Sequence, residues 1–179
     1  MTQASTQQRI SEPAKKDHRE LEEYYHKILN AKDGDEKTRW ANQFTWELAR
    51  HKLVMYPQMK KSIEDSDALV EKDLREHQEV KEQLFRFQSM KATDPGFEPL
   101  LGAIWKNLAQ HMKEEEEIDL VKLEQELSNE ESFGLANKFH LTKNHPSAPN
   151  QPPFETVIGL LTAPIDKLRD AFSRFPKDE

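Results

Sequence analysis

Residues 101–118 read LGAIWKNLAQHMKEEEEI, and within them Leu101, Ile104, Leu108, His111, Glu115 and Ile118 recur at alternating spacings of three and four. That spacing lines side chains along one face of an α-helix. The face is apolar except at His111 and Glu115, which lie four residues apart and therefore point the same way. A carboxylate in such a seam costs several kcal/mol unless a cation or a strong donor compensates it. Glu115 thus demands a charge partner, and a metal ion shared with His111 supplies one. Glu114, Glu116 and Glu117 fall off the seam and read as a solvated charge run.

Three further segments carry the same pattern, each with one histidine. The first runs Ala14, His18, Leu21, Tyr25, Ile28; the second Phe44, Leu48, His51, Met55, Met59; the third Val70, Leu74, His77, Leu84, Phe87. A single seam histidine is more often a satisfied core residue than a ligand. One near the middle of every helix is a different matter. Helices of about 25 residues are about 38 Å long, and short connections make neighbours antiparallel. The expected fold is therefore all-α: an up-down-up-down four-helix bundle, followed by a Pro-rich C-terminal tail and a short terminal helix. Mid-helix positions meet at one level in that topology, so His18, His51, His77 and His111 are expected to converge, with Glu115, on a metal site.

Local signals set the boundaries. A polar leader extends to about Gln8. Ser11 is the expected N-cap of the first helix, with Pro13 tolerated in its first turn. The turn-rich stretch Ala31 to Asp35 ends it. Pro57 is expected to kink or end the second helix, because proline lacks the amide hydrogen and clashes with the preceding turn. Asp65, Ser66 and Asp67 offer caps for the third, and Thr93-Asp94-Pro95-Gly96 marks the turn before the fourth, which is expected to reach about Leu127. After Ser128 the composition changes, giving an expected division into a bundle over 1–128 and an extension over 129–179. The extension offers a short helix over 130–139, a proline-rich stretch over 144–153, and an apolar pattern from Val157 to Phe172. The tail reads either as a cover folded back on the bundle or as a docking helix for a protein partner or a membrane surface. His26 lies off the face of His18, and His140 and His145 lie outside the seams, so none of the three is expected to bind a metal.

Composition narrows the function. A net charge of −7, with no basic face, argues against nucleic acid as a partner. No apolar run approaches the roughly 20 residues needed to span a bilayer, and the leader has no apolar core, so a cytoplasmic location is expected. With no cysteine in the chain, ligands must be imidazole and carboxylate, a donor set that suits iron, zinc or manganese. One turn past His51, where a paired glutamate would complete a second His–Glu unit, stands Met55. Glu47, one turn before His51, shares its face. Tyr25 is the sole acid–base group near the seam that suits catalysis.

The segments Asp17-His18-Arg19-Glu20-Leu21, Trp46-Glu47-Leu48-Ala49-Arg50-His51, Glu76-His77-Gln78-Glu79-Val80-Lys81 and Gln110-His111-Met112-Lys113-Glu114-Glu115 resemble the hemerythrin-like, or HHE cation-binding, family, especially its fungal members. The tail from His145-Pro146-Ser147-Ala148-Pro149 through Pro153-Phe154-Glu155-Thr156 is similar to theirs as well. The resemblance implies a four-helix bundle with a non-haem di-iron site. Its ligands would be one histidine from the first helix, an H-x-x-x-E pair from the second, a histidine from the third and an H-x-x-x-E pair from the fourth. Carried onto this chain they are His18, His51, His77, His111 and Glu115. The second-helix glutamate has no counterpart, since His51 leads almost directly into Lys52-Leu53-Val54-Met55-Tyr56-Pro57. The segment looks roughly four residues, about one turn, short. A near-whole-turn deletion keeps helical phase while removing a bridging carboxylate.

The resulting expectation is a metal-binding protein that holds non-haem iron, with O2 binding, storage or sensing linked to it, and with no catalytic residues; its di-iron site is compromised, so that the missing glutamate predicts weaker binding, a single ion or none. Two other readings stand beside it: a di-iron oxidase or peroxidase-like enzyme, and a metal-free helical interaction or scaffold protein.

Overall fold

The computed structural model describes residues 7–63, 75, 79–80, 82–84, 86–87 and 89–143. Helix α1 spans Ser11–Leu29 and α2 spans Gly34–Ile63. The described residues between 75 and 89 are helical and form α3. Helix α4 spans Phe97–Glu114 and passes through a π-helical turn, Glu115–Asp119, into α5, Leu120–Glu126; α6 spans Asn129–Lys143. Among the described residues there is no strand, and the chain is an all-helical bundle. The expectations for His77, for the caps at 65–67, and for the tail over 144–179 with its His145 lie outside the described residues.

The seams bury as their spacing predicts. Ala14, Leu21 and Ile28 of α1 are fully buried, as are Phe44 and Leu48 of α2 and Leu101, Ile104 and Leu108 of α4. They fall into two apolar clusters. One joins Leu21, Ile28, Phe44 and Leu48 to Leu84, Phe87, Phe97, Leu101, Ile104 and Leu108, with the Phe87 and Phe97 rings 4.6 Å apart. The other gathers Ile10, Ala14, Met55 and Met59 with Leu120, Leu123, Leu135, Ala136 and Phe139. Each large side chain so buried contributes about 1.5–3 kcal/mol. His18, His51 and Glu115 fall in sequence between the members of the two clusters, so a polar layer separates them.

Three boundaries differ from the sequence expectation. Helix α2 continues past Pro57 to Ile63; Met55 and Met59, one turn apart on either side of the proline, are both buried in the second cluster, and this packing offsets the missing hydrogen bond. Ser11 is not the N-cap of α1. Ile10 occupies that place without a side-chain cap, and the cap comes from distant chain. The Ser11 N–H donates to Glu124 Oε1 (2.9 Å), the Ile10 N–H donates to Ser132 Oγ (2.9 Å), and Arg9 Nε donates to Glu124 Oε2 (2.5 Å). Ser132 Oγ in turn donates to Glu124 Oε2 at 2.9 Å, so one carboxylate organises the whole end of the helix. The third difference is the π turn. A wider turn shifts the phase of the helix, and the buried seam passes from Glu115 to Leu120 and Leu123 while Ile118 is 49% exposed. Ile118 therefore does not belong to the core.

The start of α2 is capped locally. Asp33 Oδ1 accepts from the Glu36 N–H (2.8 Å) and the Glu36 carboxylate accepts from the Lys32 N–H (2.7 Å), a reciprocal cap that satisfies two otherwise unpaired donors.

Candidate metal centre

Helices α1, α2 and the α4 π turn each deliver one buried donor to the polar layer. His18, His51 and Glu115 are 4%, 2% and 2% exposed. One ligand atom from each lies within 4.8 Å of the others. The inner triangle is tighter: His18 Nε2 to His51 Nε2 is 3.3 Å, His51 Nε2 to Glu115 Oε1 is 3.1 Å, and His18 Nε2 to Glu115 Oε1 is 3.7 Å. A point equidistant from three such atoms is about 2.0 Å from each, within the range of metal–nitrogen and metal–oxygen bonds. The donor set therefore fits a single transition-metal ion in size and in chemistry.

Both imidazoles are held from behind. His18 Nδ1 lies 2.8 Å from Glu116 Oε1, and His51 Nδ1 lies 3.4 Å from Asp17 Oδ2. A carboxylate on Nδ1 keeps the proton there and turns the Nε2 lone pair toward the centre, the orientation that metal-ligating histidines require. Asp17 is itself gripped by Arg50, which is fully buried, pairs with the Asp17 carboxylate, and donates from Nε to Glu47 Oε2 at 2.7 Å. Gln43 Nε2 donates to the other Glu47 oxygen at 3.0 Å. Glu47 is thus a brace for Arg50, with both carboxylate oxygens engaged away from the histidines. Helix α6 closes this side: Phe139 meets His51 edge-on with ring centres 5.8 Å apart, and the Arg50 guanidinium lies 4.8 Å over the Phe139 ring.

The layer's charges are coupled. Burial alone would push the Glu115 carboxyl up. The charge of His51, followed by hydrogen bonding with the facing imidazoles, outweighs it, and Glu115 is held well below the usual carboxylate range. For His51 burial disfavours the charge, but Glu115 and Asp17 more than compensate and raise its pKa above the ordinary value. Arg50 is raised in the same manner: burial works against the charge, and Glu47 and Asp17 prevail. The two shifts reinforce each other, favouring a charged His51 against an ionised Glu115.

His111 stands apart from the triangle. Its Nε2 lies 3.4 Å from Glu115 Oε2, the oxygen turned away from His51, and the same nitrogen contacts Lys52 Nζ. Met55 occupies the place of the missing second glutamate and is buried among apolar side chains at 1% exposure. His26 and His140 are exposed. Tyr25 stacks on Trp105 (4.7 Å) against the first apolar cluster, two helical turns, about 10 Å, along α1 from His18.

Several contributors escaped the sequence reading. Glu116 was expected to be solvated with its neighbours, yet it bonds His18, because the π turn starting at Glu115 swings the next carboxylate toward α1. Asp17 and Arg50 immediately precede His18 and His51, which was the available signal. Along α2 every residue from 44 to 51 is buried, so no amphipathic stripe sets Glu47 and Arg50 apart there.

A layer of two imidazoles and a carboxylate, braced by further carboxylates inside a helical bundle, is the architecture of a cation-binding helical protein. Residues 9–123 match the Hemerythrin HHE cation binding domain, and the chain belongs to that family. It is also 50% identical, over 179 residues, to an uncharacterized hemerythrin-like protein of Schizosaccharomyces pombe, with 94% of this chain and 88% of the relative covered. No solved structure matches the chain. Among the described residues, no helix is long and apolar enough to cross a membrane.

Proposed function

We propose that the protein is a non-haem iron-binding protein of the cytoplasm that holds iron, and through it O2, for storage or sensing, without catalysing a reaction of its own. The observation that carries this reading is the convergence of His18, His51 and Glu115, all buried, with ligand atoms within 4.8 Å of one another. Two histidines and one carboxylate, without sulfur, form the donor set of ferrous sites that leave positions open for a small molecule. His111 and His77, from the fourth and third helices, are the donors we assign to a second ion position rather than to this one.

Metal analysis of the full-length protein, purified without chelator and reconstituted anaerobically with ferrous iron, tests the proposal. Retention of iron through desalting by the wild type, its loss in Glu115→Ala, and its persistence in Glu117→Ala are the expected results. Equal retention in both variants refutes the ligand assignment, and no retained iron in the wild type refutes the metal reading. A spectral change on exposing the ferrous protein to oxygen is the further expectation for an O2-linked role.

A further inference from the structure

The family's pattern calls for a metal pair, and the described residues do not fit one. We infer that the site takes a single divalent ion on His18, His51 and Glu115, and that Lys52 supplies a built-in positive charge where a second ion would sit, against His111. The inference rests on the metal-binding reading above and specifies its stoichiometry.

The two oxygens of Glu115 face different neighbours. Oε1 closes the triangle with His51 (3.1 Å) and His18 (3.7 Å), whereas Oε2 looks toward His111 Nε2 at 3.4 Å. That is how a carboxylate spans two cations, one oxygen to each. On the Oε1 side the ring nitrogens of His18 and His51 converge on that oxygen. On the Oε2 side the His111 nitrogen contacts Lys52 Nζ. An ammonium can only donate, so this bond takes up the Nε2 lone pair that a metal would need. Among the described residues the second carboxylate that a pair requires is also absent: Met55 stands one turn past His51, in one apolar cluster with Ile10, Ala14 and Phe139. Glu47 cannot substitute, because Arg50 and Gln43 hold its two oxygens.

Charge leads to the same conclusion. Among the described side chains that make up or brace the layer, Asp17, Glu47, Glu115 and Glu116 carry negative charge, and Arg50 and Lys52 carry positive charge. The remainder is two negative charges, which one divalent ion neutralises. A second ion would leave the layer with uncompensated positive charge. Lys52 comes directly after a ligand, one position along α2 from His51. Met55 thus stands in the place of the bridging acid, and Lys52 brings a cation to the His111 side of Glu115.

The test is Co2+ titration of the metal-free full-length protein, followed by visible absorption and by metal analysis after desalting. Wild type, Lys52→Met, Lys52→Arg and His111→Ala are compared, with circular dichroism as the folding control. One Co2+ per wild-type chain is the expected endpoint. His111→Ala should keep that ion with affinity within about threefold. Lys52→Met should bind it about tenfold more tightly at low salt, because a like charge near the ion has been removed, or admit a second ion. Lys52→Arg should behave as the wild type. Two ions per wild-type chain would overturn the inference and leave the metal reading standing. No ion would overturn both. Loss of the ion in His111→Ala, or unchanged or weaker binding in Lys52→Met, would overturn the role assigned to Lys52.

Discussion

Replacing Arg50 by Met should be among the most damaging single changes in this protein, although Arg50 is not a candidate ligand. The guanidinium is fully buried, pairs with Asp17 and Glu47, and lies over Phe139. Methionine fills much of the same volume and keeps the apolar contact with the ring, so what is lost is the charge. Two carboxylates, 2% and 8% exposed, are left without their shared cation. Breaking one buried ion pair from one side costs about 3–5 kcal/mol, and here one change strips two partners. A loss of about 4 kcal/mol is expected for the metal-free protein in urea unfolding at neutral pH, a large part of the about 5–15 kcal/mol that holds a typical domain together. The triple variant Arg50→Met, Asp17→Asn, Glu47→Gln removes the stranded charges as well and should recover most of the loss. Because Asp17 stands behind His51, the triple variant should still bind iron more weakly than the wild type, by about 10–100-fold, the usual effect of removing the partner of a ligating histidine. If Arg50→Met lies within about 0.5 kcal/mol of the wild type, or the triple variant is no better than the single one, the carboxylates are not dependent on Arg50 and the reasoning fails.

Other parts of the structure make equally definite predictions. Glu124→Gln should cost about 1–2 kcal/mol by weakening the remote cap of α1. Burial pushes Glu124 up, but the bonds from Ser11, Arg9 and Ser132 prevail and hold it below its ordinary 4.5; a depressed carboxylate stabilises above its unfolded value and ceases to do so as pH falls through its folded value. The gap between variant and wild type in urea unfolding should therefore narrow as pH falls below 4.5 and close once pH is below the depressed folded value. Binding of a metal to the apo protein should release a proton, because the raised pKa of His51 keeps that ring protonated above its ordinary 6.5 and the ion must displace the proton. Calorimetry in buffers of different ionisation enthalpy reads this release, and affinity should rise with pH through the same range; buffer-independent heats would show that His51 is neutral beforehand. Leu120→Ala should cost about 2–4 kcal/mol and Ile118→Ser less than about 0.5 kcal/mol, since the π turn buries the first and exposes the second. The reverse order in thermal melts would restore an uninterrupted α-helical seam.

The seams of the first, second and fourth helices, the turns near 31–35 and 93–96, and the convergence of His18, His51 and Glu115 were legible in the sequence because each depends on periodicity or on residues close in the chain. What was not legible depends on partners far away. Ser11 reads as a cap from its neighbours alone; Glu124, 113 residues later, does the capping. Pro57 reads as a break, and helix continuity there depends on the packing of Met55 and Met59 against α5 and α6 residues. The π turn has no local signature. Once it inserts, it exposes Ile118 and turns Glu116 from a surface charge into the partner of His18. The candidate ligands His18, His51 and Glu115 were visible as polar residues in apolar seams, whereas Asp17, Arg50 and Lys52 lie beside those seams and read as ordinary charged positions.

The clamp on the first helix also sets the order in which the protein can be made. Arg9, Ile10 and Ser11 are held by residues 113 to 122 positions further along the chain. At about 5–20 residues per second, translation takes on the order of 6–24 s to supply them. Through that interval the nascent α1 has no cap, and His18 waits for Glu115, which lies 97 positions away. Contacts of such separation slow folding. A nascent chain thus has nowhere to load an ion until most of it has left the ribosome, and the metal centre is completed in the same late step that fastens the N-terminus.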